Sequence, residues 1–595
     1  DGIRVHHADG NVVVGEGVGT GNSISLATDD GIQIDTVRGS VLVLRNTIDE
    51  VGSGSGAGDG IVVANVGNAF AGGGPADVSV LVNFNTISNV DGDGLGDPDD
   101  ANHSSGDGIR IVRIDGGTFT NDNVISDVDD DGIYVGVVRG NVNVRRNVIS
   151  NAGLGSATGD GIVVSNTGSL AGGALGGGST FISGNTVTNV TGSGAPDFDM
   201  PAGLFAGGLS SGDGIRFEGI DGDAQAIENR TTSIGDDGIQ GFSITGNVLA
   251  SDNFIMSVSN GSLTGDGIVI ERVGGSATVN SNSIAGVFGD GSNDPDGSML
   301  SAGDGIRVTG IVGAVVIGDI GSGNSIANVG DDGIQVNDVG SGATVSGNRI
   351  QDAGQISDTG DGIVIELGTG AFVVSGNVIA NVDGANGANG DNVNTGPISN
   401  DGIRIGDVNA TGGISVANNS ISDVNDDGIE ISFVTGNVFV TGNSIDMVGG
   451  GPVGTGDGIL VSDLIPTGGV TITGNAISNV VSANGGAADL NDGRTAGDGI
   501  RVTDVPGNVL IGSNTVANAA DDGIQVQNVL GTVDILSNRV DSVGNVSNRG
   551  DGIQVSSVFD NVAIDMNVVS RVAGAGFDAD DGYHAGDGIR AALIT

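Results

Sequence analysis

The chain has 595 residues, of which 73 are Asp or Glu and 20 are basic, all of them Arg, for a formal net charge of −53. Such a surface repels polyanions and argues against nucleic acid or an anionic membrane as a partner, since both need basic stripes. The absence of Cys removes disulfides and thiol chemistry, and no apolar run reaches the ~18 residues that would span a bilayer.

A single packed core stops growing at roughly 250–300 residues, so this length calls for several domains or for growth in one dimension. An Asp-Gly-Ile motif that returns nineteen times, from Asp1 and Asp30 through to Asp587, selects the second. With 115 Gly but only 9 Pro and no three-residue period, the chain is neither collagen-like nor Pro-rich and disordered.

The turn beginning at Asp30 stands for the rest. Apolar residues alternate at Ile32 and Ile34, then at Val41 and Val43, and a third short block runs from Asn46 through Ile48 to Val51. That period of two predicts three short strands per turn and no helix. Gly and Asn punctuate the junctions, where sharp corners need positive φ or a side chain that satisfies the turn. Stacked about 4.8 Å apart, eighteen such turns would give parallel sheets and a rod of roughly 85–90 Å.

One polar position recurs within the apolar pattern. Asn stands two residues before an aliphatic or equivalent residue at Asn22, Asn46, Asn85, Asn123, Asn147, Asn185, Asn253, Asn282, Asn324, Asn348, Asn377, Asn419, Asn443, Asn475, Asn514, Asn538 and Asn567, with Asn229 a weaker match. An amide offers two donors and an acceptor, so stacked copies are expected to form a structural ladder that also satisfies corner backbone groups. The combination of GN-x-I-S-x-V with DGI-x-V resembles the parallel β-helix repeat of the pectate-lyase-like superfamily and covers essentially the whole chain. The resemblance implies an all-β, right-handed, three-sided β-solenoid; lyases, epimerases, adhesins and surface fibres all use it, so it leaves function open.

The residue after each motif Ile cycles with a period of three turns. Arg4, Arg110, Arg216, Arg307, Arg404, Arg501 and Arg590 hold one turn; Gln33, Tyr134, Gln240, Gln335, Glu430 and Gln525 hold the next; Val62, Val163, Val269, Val364, Leu460 and Gln554 hold the third. The six units are 1–106, 107–212, 213–303, 304–400, 401–497 and 498–586, with 587–595 starting a further turn of one continuous solenoid. Long loops precede each Arg turn and are expected to emerge about 14 Å apart along one side, three strand spacings. The Arg stripe is expected to point outward and to contact neighbouring copies or a surface.

Two acidic features invite Ca2+. Doubled acids such as Asp29/Asp30 and Asp426/Asp427 recur every third turn, where Asx-type turns or bridging ions would offset repulsion. In the loops, Asp91, Asp93, Asp97 and Asp99 alternate as hard-ligand sites do, and Asp290, Asp294 and Asp296, and Asp578 and Asp580, form similar clusters. No catalytic constellation stands out: the Arg recurs in every unit, aromatic content is 3%, and His6, His7, His103 and His584 lack Cys partners. The sequence therefore predicts a protein that is not an enzyme, an internal segment of an extracellular or cell-surface filament, stalk or adhesin shaft that displays acidic loops, Ca2+ being the one cofactor considered. Self-association or an extracellular-matrix partner follows from that reading, with no nucleic acid and no membrane insertion. The alternative is a polysaccharide-binding or polysaccharide-cleaving β-helix of lyase or epimerase type.

Overall fold

A computed structural model describes residues 1–15, 21–53, 58–67, 78–92, 105–154, 158–165, 167, 178–192, 211–259, 264–289, 302–357, 360–383, 400–450, 456–466, 468–481, 497–544, 550–574 and 586–595. Every regular element among them is a strand. Two units, Asp1–Gly303 and Asp304–Thr595, each wind into three parallel sheets. The first sheet takes the strand that begins at the motif Ile, such as Ile32–Val37, Ile61–Val66 and Ile109–Ile114. The second takes Val41–Leu44, Ser79–Asn83 and Gly117–Asn121, and the third Thr47–Val51, Thr86–Val90 and Val124–Val128. This is the three-sided parallel β-helix that the alternation predicts, consistent with the right-handed winding that strand twist favours.

Register keeps like on like. Ile109 pairs with Ile61 on one side and Ile133 on the other, and Ile125 pairs with Ile87 and Ile149. These residues are fully buried, so each aliphatic column contributes on the order of 1.5–3 kcal/mol per turn. The motif Gly is fixed by close approach: a Cβ on Gly108 would lie 2.5 Å from Ile125 Cγ2 and 2.6 Å from Gly132 O. Corners depart from the expectation of Gly and Asn alone. Arg45, Phe84, Asp122 and Arg146, each at the end of a second-sheet strand, sit in the left-handed region at φ 53 to 60°. That costs roughly 1 kcal/mol apiece, which stacked neighbours must offset.

The asparagine ladder runs through both units, and Asn229 belongs to it. Asn147 Oδ1 accepts from Asn123 N (3.0 Å) and Asn123 Nδ2 (2.9 Å), while its own Nδ2 donates to Thr120 O (2.8 Å) and Asn185 Oδ1 (3.0 Å). Asn185 passes the pattern to Asn229 and Asn229 to Asn253. Asn348, Asn377 and Asn419 repeat it in the second unit.

The first sheet is buried on both faces. Ile109 and Ile111 turn to the core; Arg110 and Val112, which alternation places on the other face, are 2% and 1% exposed. Val112, Tyr134 and Val163 pack there into a second apolar cluster. No helix among the described residues is long and apolar enough to cross a membrane.

Candidate cation site in the aspartate ladder

The motif aspartates form a second, charged ladder beside the first sheet. Each Oδ1 accepts the backbone N–H of the next motif Asp: Asp59 N donates to Asp30 (2.9 Å), Asp107 N to Asp59 (2.9 Å), Asp131 N to Asp107 (3.1 Å) and Asp160 N to Asp131 (2.7 Å). The second unit repeats this at Asp361, Asp401, Asp427 and Asp457. The carboxylates therefore accept from the following turn, whereas an Asx-type turn would have kept the bond local. The side chains are buried, so the charges must be offset from within.

The arginines supply one offset, and their expected place is corrected here. Arg110, Arg216, Arg307, Arg404 and Arg501 lie on the face opposite the core but are at most 2% exposed, so they form no outward contact stripe. Alternation fixes which face a residue takes and says nothing about whether that face is wet. Arg110 meets Asp59 of the preceding turn at 2.7 Å, Arg216 meets Asp160 at 2.9 Å, Arg501 meets Asp457 at 2.5 Å and Arg590 meets Asp551 at 3.0 Å. Arg404 bridges Asp361 (2.8 Å) and Glu366 (2.9 Å). Only Arg4, paired with Asp1 at 3.5 Å, keeps a half-exposed side chain.

The three-turn cycle is thus an electrostatic unit. The third-turn Asp receives an arginine. In three units the second-turn Asp receives an amide donor: Gln240 Nε2 reaches Asp237 Oδ2 (3.2 Å), Gln335 reaches Asp332 (3.4 Å) and Gln525 reaches Asp522 (3.4 Å). The first-turn Asp is held toward its protonated form where a shift is resolved. Burial, then the charges of Asp457 and Asp522, push Asp498 well above the usual carboxylate range against the pull of Arg501. Burial, then Asp361, Glu430, Asp427 and Asp426, do the same to Asp401. Asp30 on a second turn is pushed up to about 8 by burial and Asp59.

These raised values set the sign of a pH effect. A carboxyl that binds its proton more tightly when folded stabilises the fold fully below its unfolded pKa of about 3.9, and that stability is lost as pH rises through the folded value. Thermal melts in metal-free buffer should therefore give a lower Tm at pH 8 than at pH 5, across the window set by Asp30. An equal or higher Tm at pH 8 would contradict the protonated carboxyls.

Two groups of buried acids converge closely enough to share an ion: Asp304, Asp331 and Asp332, and Asp401, Asp427 and Glu430, each with one oxygen per residue within 4.8 Å of the others. Three ionised carboxylates about 5 Å apart would repel by roughly 10 kcal/mol in total at an effective dielectric constant of about 20. The first group already holds donors, since Ser357 Oγ donates to Asp331 (2.5 Å) and Gln335 to Asp332. The doubled acids Asp331/Asp332 and Asp426/Asp427 were expected to take Asx-type turns or bridging ions; what the sequence did not single out is Glu430, the one acid in a column of Gln and Tyr. Of the loop residues, Asp91 is described and exposed, and it shares a hydrogen bond with Asp129 that, with burial, pushes Asp129 up to about 6. Asp93, Asp97, Asp99, Asp290, Asp294, Asp296, Asp578 and Asp580 lie outside the described residues.

No family model and no curated protein matches the chain. Among solved structures it is similar to one titled "Structure of PL6 family alginate lyase AlyGC", at 9% identity and a TM-score of 0.18 over 100% of this chain and 97% of that one. The expectation that the chain is not an enzyme is withdrawn, since a solved structure it is similar to is titled as a lyase. No activity follows for this chain from a TM-score of 0.18.

Proposed function

We propose that this β-solenoid is a structural shaft of an extracellular or cell-surface protein, built to carry acidic loops at every third turn and to meet copies of itself or a matrix partner. The observation that supports it most directly is the pair of ladders, asparagine and aspartate, that recur in turn after turn of each unit with the same partners. Such repetition makes each turn exchangeable, because a repeat contacts only its neighbours. Removing residues 107–212, which joins Gly106 to the equivalent Asp213, should leave a folded chain with unit 1 shortened by about 14 Å, three strand spacings. Electron microscopy and circular dichroism read the outcome; a chain that no longer folds would sink the shaft reading.

A second reading, contact with a polysaccharide, is favoured locally, against the acidic charge of the chain as a whole, by the outer side of the second sheet in unit 1. Leu81, Phe119 and Asn143 lie in register there, with Phe119 38% exposed. Close by, Arg45 stands over the Phe84 ring at 5.0 Å and Arg145 over Phe181 at 5.9 Å. Rings stack on sugar faces and guanidinium groups pair with carboxylates. Retardation in gels cast with a uronate polymer, lost in Arg45→Ser/Arg145→Ser, would support it, and unretarded wild-type chain would remove it.

A further inference from the structure

The fifth three-turn unit departs from its sisters at one buried position. Where Gln240, Gln335 and Gln525 donate an amide N–H to the motif Asp of their own turn, Glu430 presents only oxygens to Asp427. Glu430 Oε1 already accepts from Ser432 Oγ at 2.8 Å, which suits an ionised carboxylate. Asp401, one turn below, is fully buried; its Oδ1 accepts from Asp427 N at 2.8 Å, and its Oδ2 has no hydrogen-bond partner among the described residues. Arg404, on the same turn as Asp401, is engaged by Asp361 and Glu366, two acids for one cation, and has no surplus charge to give. Gln→Glu has thus exchanged a donor for a third acceptor in a place already rich in acceptors.

We propose that Asp401, Asp427 and Glu430 hold a hard divalent cation of the Ca2+ class, one per chain, inside the aspartate ladder. Ca2+ takes carboxylate oxygens in a flexible geometry, which suits three buried carboxylates whose oxygens lie within 4.8 Å of one another, whereas Mg2+ dehydrates reluctantly and usually keeps several waters. The three carboxylates are buried, which admits an ion and leaves a polymer no access. The site ties two stacked turns of unit 2 together and stands whether the chain serves as a shaft or contacts a polysaccharide.

The test uses the full chain, stripped with chelator and titrated with CaCl2 by calorimetry, beside Glu430→Gln and Asp401→Asn. Glu430→Gln restores the side chain that sister turns carry, so it should fold, and without metal it should melt no lower than wild type. Wild type is expected to bind one Ca2+ more per chain than either variant, and its Tm should rise with Ca2+ by more than theirs. Equal stoichiometry in wild type and in a folded variant would overturn the proposal. So would the absence of Ca2+ binding to wild type, which would leave a shared proton as the occupant.

Discussion

Replacing Arg216 with Met is expected to destabilise unit 1 by about 3–5 kcal/mol, because it strands a buried carboxylate without its counter-charge. Arg216 is 1% exposed and reaches Asp160 Oδ2 at 2.9 Å, while Asp160 Oδ1 is occupied by the N–H groups of Gly212 (2.6 Å) and Asp213 (2.7 Å). The geometry leaves no room for the carboxylate to swing toward water without breaking both backbone bonds. Adding Asp160→Asn should recover most of the loss, since the amide oxygen can still accept those two N–H groups. Native-state hydrogen exchange at Ile162 and Ile215, the paired strand starts on either side of the ion pair, reads the local free energy. A single variant within 1 kcal/mol of wild type would mean that Asp160 is already neutral or that the arginine is solvated.

The second large effect is expected in the uncharged ladder. Asn147→Leu keeps the branched outline, at a larger volume, but deletes four hydrogen bonds, to Asn123 N, Asn123 Nδ2, Thr120 O and Asn185 Oδ1. Asn185 Oδ1 retains the Asn147 backbone N–H and Asn123 Nδ2 retains Val82 O, so the damage concentrates on the Asn123 N–H and the Thr120 carbonyl. Two buried backbone groups deprived of these bonds cost on the order of 3 kcal/mol. Urea denaturation should show a lower midpoint for the first unit. A midpoint unchanged from wild type would show that water reaches the corner and takes over the bonds.

The sequence made the fold legible because strand period, corner Asn and motif Gly each follow from local rules that hold in every turn. Ile32 and Ile34 had to face one way, and Asn46 had to lie where a corner leaves backbone groups unpaired. The arginines were misjudged for a physical reason. Alternation places Arg110 opposite Ile109 and Ile111, yet the first sheet is covered on both faces, a property that no single strand reveals. The phase of the charges was visible all the same: each Arg follows a motif Asp by one turn, and Asp59, Asp160, Asp361, Asp457 and Asp551 are the ones it meets. Asp401, Asp427 and Glu430 come from three separate positions in two turns, so their convergence needed the register, although Glu430 among glutamines was readable at once.

This arrangement also gives the three-turn period a cause. A column of buried aspartates accumulates charge with every turn, and arginines, amide donors and, at Asp401 and Asp498, carboxyls pushed toward the protonated form relieve it within the three-turn period. A solenoid of identical turns would need an arginine beside every Asp or would have to leave its carboxyls without counter-charge. Duplication of such a neutralised block extends the chain without changing its electrostatics, which suits a shaft that grows by whole units.

The most direct test is a crystal structure of the chain grown in Ca2+ and again in chelator, refined far enough to place side-chain oxygens. The account predicts Arg216 and Arg501 buried against Asp160 and Asp457 in both forms, with a density peak between Asp401, Asp427 and Glu430 in Ca2+ alone. Arginines extended into solvent, with the aspartate column hydrated, would contradict it.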